Sequence, residues 1–178
     1  MQLAFALPCA LTWCIFRSMR DPMPDEQSEQ ISDLLKTLLS RGAPQAKWSP
    51  DTGRSRKEFF DELKNLFNVN KITGEVALGV LTLLDKLESA DHPWFIKRGK
   101  THINVKLENH EQTTMLGVYP DGRLVKPDKR NESLVPKADV DGYRSKVVGP
   151  LRDQAHAREV YDALVEYMGI VKIRLSID

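Results

Sequence analysis

The sequence predicts an α+β fold: a three-helix region, then an antiparallel sheet of about five strands with two helices packed on one face. Three observations carry this expectation. Apolar residues recur at helical spacing from Ile31 to Leu87. From Trp94 they alternate with polar residues in short runs, which is the two-residue period of half-buried strands. Helical spacing returns only after four such runs, between Val140 and Met168, so the helices follow the strands instead of alternating with them.

The chain opens on residues 1–16, which are mostly apolar and carry no charge. A secretory signal wants basic residues before its apolar core, whereas Arg17 and Arg20 come after it. Pro8 interrupts the run, which also falls short of the roughly 20 residues that span a bilayer. Three readings stand: an over-extended start with translation beginning at Met19 or Met23, a structured or disordered N-terminal extension, or a signal or short anchor. Both cysteines, Cys9 and Cys14, lie here, and two thiols with no clustered histidine do not make a four-ligand zinc site. The remainder has no cysteine and no hint of an oxidising compartment, so a cytoplasmic location is expected. The expected organisation is an extension over 1–24, a helical region over 25–91 and a sheet domain over 92–178, the last two able to share one globule.

Residues 21–30 are acidic and polar with two prolines and read as a mobile lead-in. Ile31, Leu34, Leu35, Leu38 and Leu39 then form an amphipathic stripe, with Gly42 placed for a C-terminal cap. After a loop over 43–54, Ser55 and Glu58 stand at capping-box spacing ahead of Phe59, Phe60, Leu63, Leu66 and Phe67. Thr73 is placed to cap a third helix that is apolar over most of its girth and is expected at the centre of the core.

The run Trp94–Leu107 reads as two strands around Arg98-Gly99-Lys100. Between Pro93 and Glu108 it carries Lys97, Arg98, Lys100 and Lys106 and no acidic residue. His102, Asn104 and Lys106 share one face of the second strand; Ile103, Val105 and Leu107 share the other. A third strand covers Met115–Tyr119, and Asp121-Gly122 signals a type I′ hairpin into Arg123–Val125. Helical sequence over Val140–Val148 breaks at Gly149-Pro150 and resumes with Ala157, Val160, Tyr161, Leu164 and Met168 buried, ending at Gly169. The alternation from Ile170 to Ile177 predicts a last strand with Lys172, Arg174 and Ser176 on its polar face.

Charge and motifs narrow the function. Residues 1–91 carry 11 Lys and Arg against 13 Asp and Glu; residues 92–178 carry 15 against 12. That asymmetry is too mild to name a polyanion partner, so a nucleic-acid role must come from local clustering. Three helices before a basic hairpin is the element order of a winged helix-turn-helix. Its recognition helix would be 73–88, which is too apolar to read base edges. Arg98-Gly99-Lys100-Thr101 lacks the earlier glycine and the following helix of a phosphate loop. His102-Ile103-Asn104 with His110 lacks the helix a His-Asn-His nuclease needs, and Asp121 has no acid-x-Lys on a later strand.

What remains is a non-enzymatic binding or interaction protein whose basic hairpin and sheet face contact nucleic acid, another polyanion or an acidic protein. The binding residues expected are Lys97, Arg98, Lys100, His102 and Lys106, with Lys172 and Arg174 joining if the last strand enters the same sheet. Trp94 and Tyr119 stand near enough in sequence to stack bases. No metal or cofactor is expected, and membrane contact only if residues 1–16 act as an anchor. Alternatives are an enzyme with a site built from His102, Asp121 and His156, or a regulatory subunit that docks through its apolar helices.

Overall fold

Five helices and a four-stranded sheet form in the order ααα-ββββ-αα, seen in a computed structural model that describes residues 24–41, 47–49, 53–108, 110–125, 137–147 and 149–175. The helices are α1 (Pro24–Ser40), α2 (Gly53–Asn68), α3 (Gly74–Ser89), α4 (Lys137–Lys146) and α5 (Gln154–Leu175). The strands β1 (Trp94–Arg98), β2 (Ile103–Leu107), β3 (His110–Val118) and β4 (Leu124–Val125) make an antiparallel meander in chain order. The apolar N-terminal run, both cysteines and Gly42 lie outside the described residues. Among the described residues no helix is long and apolar enough to cross a membrane.

The three first helices form for the reasons their sequences suggest, with shifted starts. Helix α1 begins at Pro24, so the supposed lead-in is helical from there. Proline suits the first helical position and Glu26 suits the positive helix end, which together outweigh the polar composition. Helix α2 begins at Gly53, which puts Ser55 inside the first turn instead of at the cap. Helix α3 starts where expected: the Thr73 hydroxyl accepts the Val76 N–H at 3.3 Å. Its buried residues include Ala77, Leu78, Val80, Leu81, Leu83, Leu84 and Leu87, more girth than a surface helix buries. It is the hub against which α1, α2 and α5 pack.

A buried ion pair ties this layer together. Arg56 donates from Nε to Glu88 Oε1 at 2.7 Å and from Nη2 to Glu88 Oε2 at 2.8 Å. Nη2 also donates to the Leu38 carbonyl at 2.8 Å, and Trp48 Nε1 donates to Glu88 Oε1 at 2.9 Å. The guanidinium lies 5.0 Å from the centre of the Phe60 ring. Trp48 in turn pairs alongside Ile96, whose N–H donates to the Lys47 carbonyl at 2.6 Å and whose carbonyl accepts the Ser49 N–H at 3.1 Å. This short segment covers the free edge of β1, an edge that would otherwise invite a foreign strand. At the opposite edge Arg123 bridges to Pro150, and the Leu151 N–H donates to the Gly122 carbonyl at 2.8 Å.

The sheet's inner face joins one continuous core with the helices. Trp94, Ile96, Ile103, Val105, Leu107, Leu116 and Val118 are all fully buried. Trp94 is therefore a core residue, its Nε1 spent on the Leu87 carbonyl at 3.1 Å, and it offers no ring to a ligand. The β2–β3 register slips around Lys106, so Met115 is an extra residue in β3. Its carbonyl accepts the Tyr143 hydroxyl at 2.9 Å, which docks α4 on the sheet. Tyr143 stacks on Tyr167 of α5 at 4.3 Å and 5°. Burial, and secondarily Tyr167, push its phenol well above the ordinary tyrosine range, so it stays a neutral donor.

Three sequence expectations are corrected. The sheet has four strands, because residues 170–175 continue α5. The two-residue alternation after Ile170 is real, but the buried series Val160, Leu164, Tyr167, Met168, Val171 runs at helical spacing straight through Gly169. Continued burial in the core outweighs the cost of one helical glycine, about 0.5–1 kcal/mol. Lys172 and Arg174 thus belong to a helix and leave the sheet face. Ile173, which a strand would have pointed inward with Val171, is 80% exposed. The Asp121-Gly122 hairpin also differs from type I′. Only Gly122 has positive φ (+84°), and its N–H returns to the Tyr119 carbonyl at 3.0 Å with Pro120 and Asp121 between. Proline suits that central position, giving a three-residue loop closed by a left-handed glycine.

The helical path through Gly169 has a direct test. A Cβ built there meets nothing within 4 Å, and its φ is not positive. Gly169→Ala should stabilise the protein by about 0.5–1 kcal/mol in urea unfolding, whereas a left-handed terminating glycine would make the same change destabilising.

Candidate functional site

Sheet register sorts the basic residues before any side chain is considered. Neighbours in a strand face opposite ways. Ile96 faces the core, so Lys97 faces out and Arg98 faces in. The pairings Phe95↔Lys106↔Thr114 and Lys97↔Asn104↔Gly117↔Val125 form two rows across the outer face. His102 and Tyr119 sit side by side beyond the second row, their ring centres 4.7 Å apart and tilted 32°. The outer face therefore combines Lys97, Asn104 and Lys106 with three aromatic rings. Phe95 stands outside the hydrophobic core, as its place in the first row requires.

The His102 end is built in detail. Gly117 leaves the space: a Cβ there would lie 2.9 Å from Val125 Cβ and 3.2 Å from His102 Cδ2. The imidazole Nε2 lies 3.2 Å from Asn104 Oδ1, and Nδ1 lies 3.3 Å from the Thr101 hydroxyl. The Arg123 guanidinium lies 4.4 Å from the Tyr119 ring centre and donates from Nε to Asp121 Oδ2 at 2.7 Å. Asp121 also accepts the Arg123 N–H at 3.1 Å. Its carboxylate is thus committed to shaping the turn and aiming Arg123. Lys100 is exposed in the loop that the Gly99 N–H closes on the His102 carbonyl at 2.7 Å.

The residues expected from sequence divide into three groups. Lys97, His102 and Lys106 share the outer face, and Lys100 borders it. Arg98 lies on the inner face, its side chain only 11% exposed, donating to Glu62 Oε2 at 2.9 Å with its guanidinium 5.3 Å from the Phe59 ring centre. There it joins β1 to α2. Lys172 and Arg174 are on α5. Two contributors were not foreseen, Phe95 and Arg123. The outward parity of Phe95 was legible once Lys106 was assigned outward, but only with the strand register in hand. Arg123 depends on the geometry of the Pro120–Gly122 loop.

The three residues of the enzyme alternative each have local partners of their own. His102 and Asp121 approach opposite partners of the Tyr119–Arg123 pair. His156 is buried in the first turn of α5, where its Nδ1 accepts the Arg152 N–H at 3.3 Å and its own N–H donates to Asp153 Oδ1 at 2.7 Å. Among the described residues no three His, Cys, Asp or Glu side chains group as metal ligands. A groove between α4 and α5, lined by Tyr143, Lys146, Glu166 and Tyr167, encloses about 130 Å³. That is well below the roughly 300 Å³ at which ligand pockets begin. What the outer face offers is positive charge, amide and imidazole donors, and aromatic surface. No known protein family, curated protein or solved structure matches this chain.

Gly117→Ala probes how the face is made. The added methyl should force His102 and Val125 apart, costing about 1–3 kcal/mol by overpacking. The ring-current shift of the His102 imidazole protons over Tyr119 should disappear from the NMR spectrum. An unchanged shift would mean that the glycine does not seat the imidazole.

Proposed function

We propose that this is a non-enzymatic binding protein that holds a polyanion, nucleic acid in the first instance, on the outer face of its sheet. The observation that carries the reading is the placement of Lys97 and Lys106 in adjacent rows of one face, with Lys100, His102 and Arg123 at its end. Cations spaced along a strand pair match the repeating charge of a phosphate backbone, and bound counterions released by each contact drive association. The polar groups between them, Asn104 and Thr114, can hydrogen-bond phosphate or sugar oxygens without demanding a particular sequence.

Salt dependence tests this most simply. The full chain should bind a fluorescently labelled oligonucleotide at low salt, and affinity should fall steeply as salt rises. The triple change Lys97→Ala, Lys100→Ala and Lys106→Ala should weaken binding at least tenfold and flatten the log–log salt slope by about 2–3. Lys172→Ala, on α5, should leave binding unchanged. No binding to any nucleic acid at low salt overturns the proposal.

A further inference from the structure

We infer that the ligand of this face is a single strand whose bases stack on Phe95 at one end and on the Arg123–His102 cluster at the other. This rests on the nucleic-acid reading above and deepens it.

Shape decides between a duplex and a single strand. The major groove of B-form DNA is about 12 Å wide and admits a helix or a two-stranded ribbon. Four strands at about 4.8 Å spacing span roughly 14 Å before any side chain is added, so the face of this sheet cannot enter that groove. A duplex could touch it only through its backbone. A single strand can lie across it with bases turned down onto the rows.

The face is furnished for that arrangement. Phe95 is a half-buried ring that does not join the core, in the same row as Lys106 and two residues from Lys97. A phosphate-only ligand gives such a ring nothing to do, whereas a base can stack on it, and every base has a π-face. At the other end Tyr119 contacts both His102, at 4.7 Å, and Arg123, at 4.4 Å. Tyr119 is thereby a support, and the planar guanidinium that Asp121 holds in place is the surface presented; the Arg123 side chain is 63% exposed. Guanidinium planes stack bases and bring positive charge to them. Successive outer rows are about 6.8 Å apart along the strands and neighbouring strands about 4.8 Å apart, so Phe95 on β1 and Arg123 beside β4, two rows and three strands apart, are separated by about 20 Å. At 3.4 Å or more per nucleotide, that span holds no more than about six nucleotides. The middle row, Lys97 and Asn104, faces their phosphates and sugars.

The test uses the full chain and three probes: an eight-nucleotide single strand, the same sequence as a duplex, and inorganic polyphosphate, which has charge but no bases. The single strand should bind at least tenfold tighter than the duplex. Phe95→Ala should weaken single-strand binding by about 5- to 150-fold, the range of one lost stacking contact, and leave polyphosphate binding unchanged. Phe95→Trp should restore single-strand binding, which separates stacking from any folding defect. Equal binding of single strand and duplex, or a Phe95→Trp variant as weak as Phe95→Ala, overturns the stacking inference while leaving a charge-driven platform standing. Failure of all three probes to bind removes the platform itself.

Discussion

The structure depends on one buried charge pair. Moving a guanidinium and a carboxylate out of water costs several kcal/mol per ion, and their attraction offsets this only when geometry is good and the remaining donors and acceptors are used. Here Arg56 and Glu88 meet through two parallel hydrogen bonds, Trp48 uses a further lone pair of Glu88, and Leu38 at the end of α1 supplies an acceptor for Arg56. Four separate pieces of chain converge on this pair: α1, the segment 47–49, α2 and α3. Removing either partner would leave the other charge buried alone, which costs more than the intact pair contributes.

Consequences reach the sheet through Trp48. The indole holds its segment against Glu88, and that segment lies alongside Ile96 and occupies the edge of β1. With β1 pinned from the helical side, Arg98 meets Glu62 and Phe59 on α2. The inward turn of Arg98 forces the outward turn of Lys97, and the same parity puts Phe95 outside. The chemistry of the outer face is thus a by-product of how the inner face is anchored. At the far end the three-residue loop, with Gly122 left-handed, brings Arg123 back over Tyr119. Between the two ends Gly117 removes the side chain that would have lifted His102 off the sheet.

Much of this was legible in the sequence because one signal dominated locally. The third helix and its Thr73 cap, and the alternation through β2, each agree with the structure. Where two signals competed, the sequence misled. Residues 170–175 satisfy a strand's alternation and a helix's spacing together, and only the continued burial of Val160, Leu164 and Val171 decides between them. Trp94 looked available because it flanks a basic hairpin, yet its place opposite Leu107 makes it core. Arg56 and Glu88 are 32 residues apart, in helices whose charged residues look like ordinary solvated faces, so nothing local marks them as partners. Arg98 looked equivalent to Lys97 for the same reason: composition records a cation, and only register records its direction.

The Arg56–Glu88 pair is expected to fix the sheet as well as the helices. Native-state amide exchange in a Glu88→Gln variant, which keeps the shape and removes the charge, tests it directly. The expected result is a loss of about 3–5 kcal/mol of protection, shared by the α2 and α3 amides and by the Ile96 and Ser49 N–H groups that join β1 to its covering segment. Faster exchange confined to the turns around Arg56 and Glu88, with Ile96 and Ser49 as protected as before, would contradict the claim and leave the pair a local feature of the helical layer.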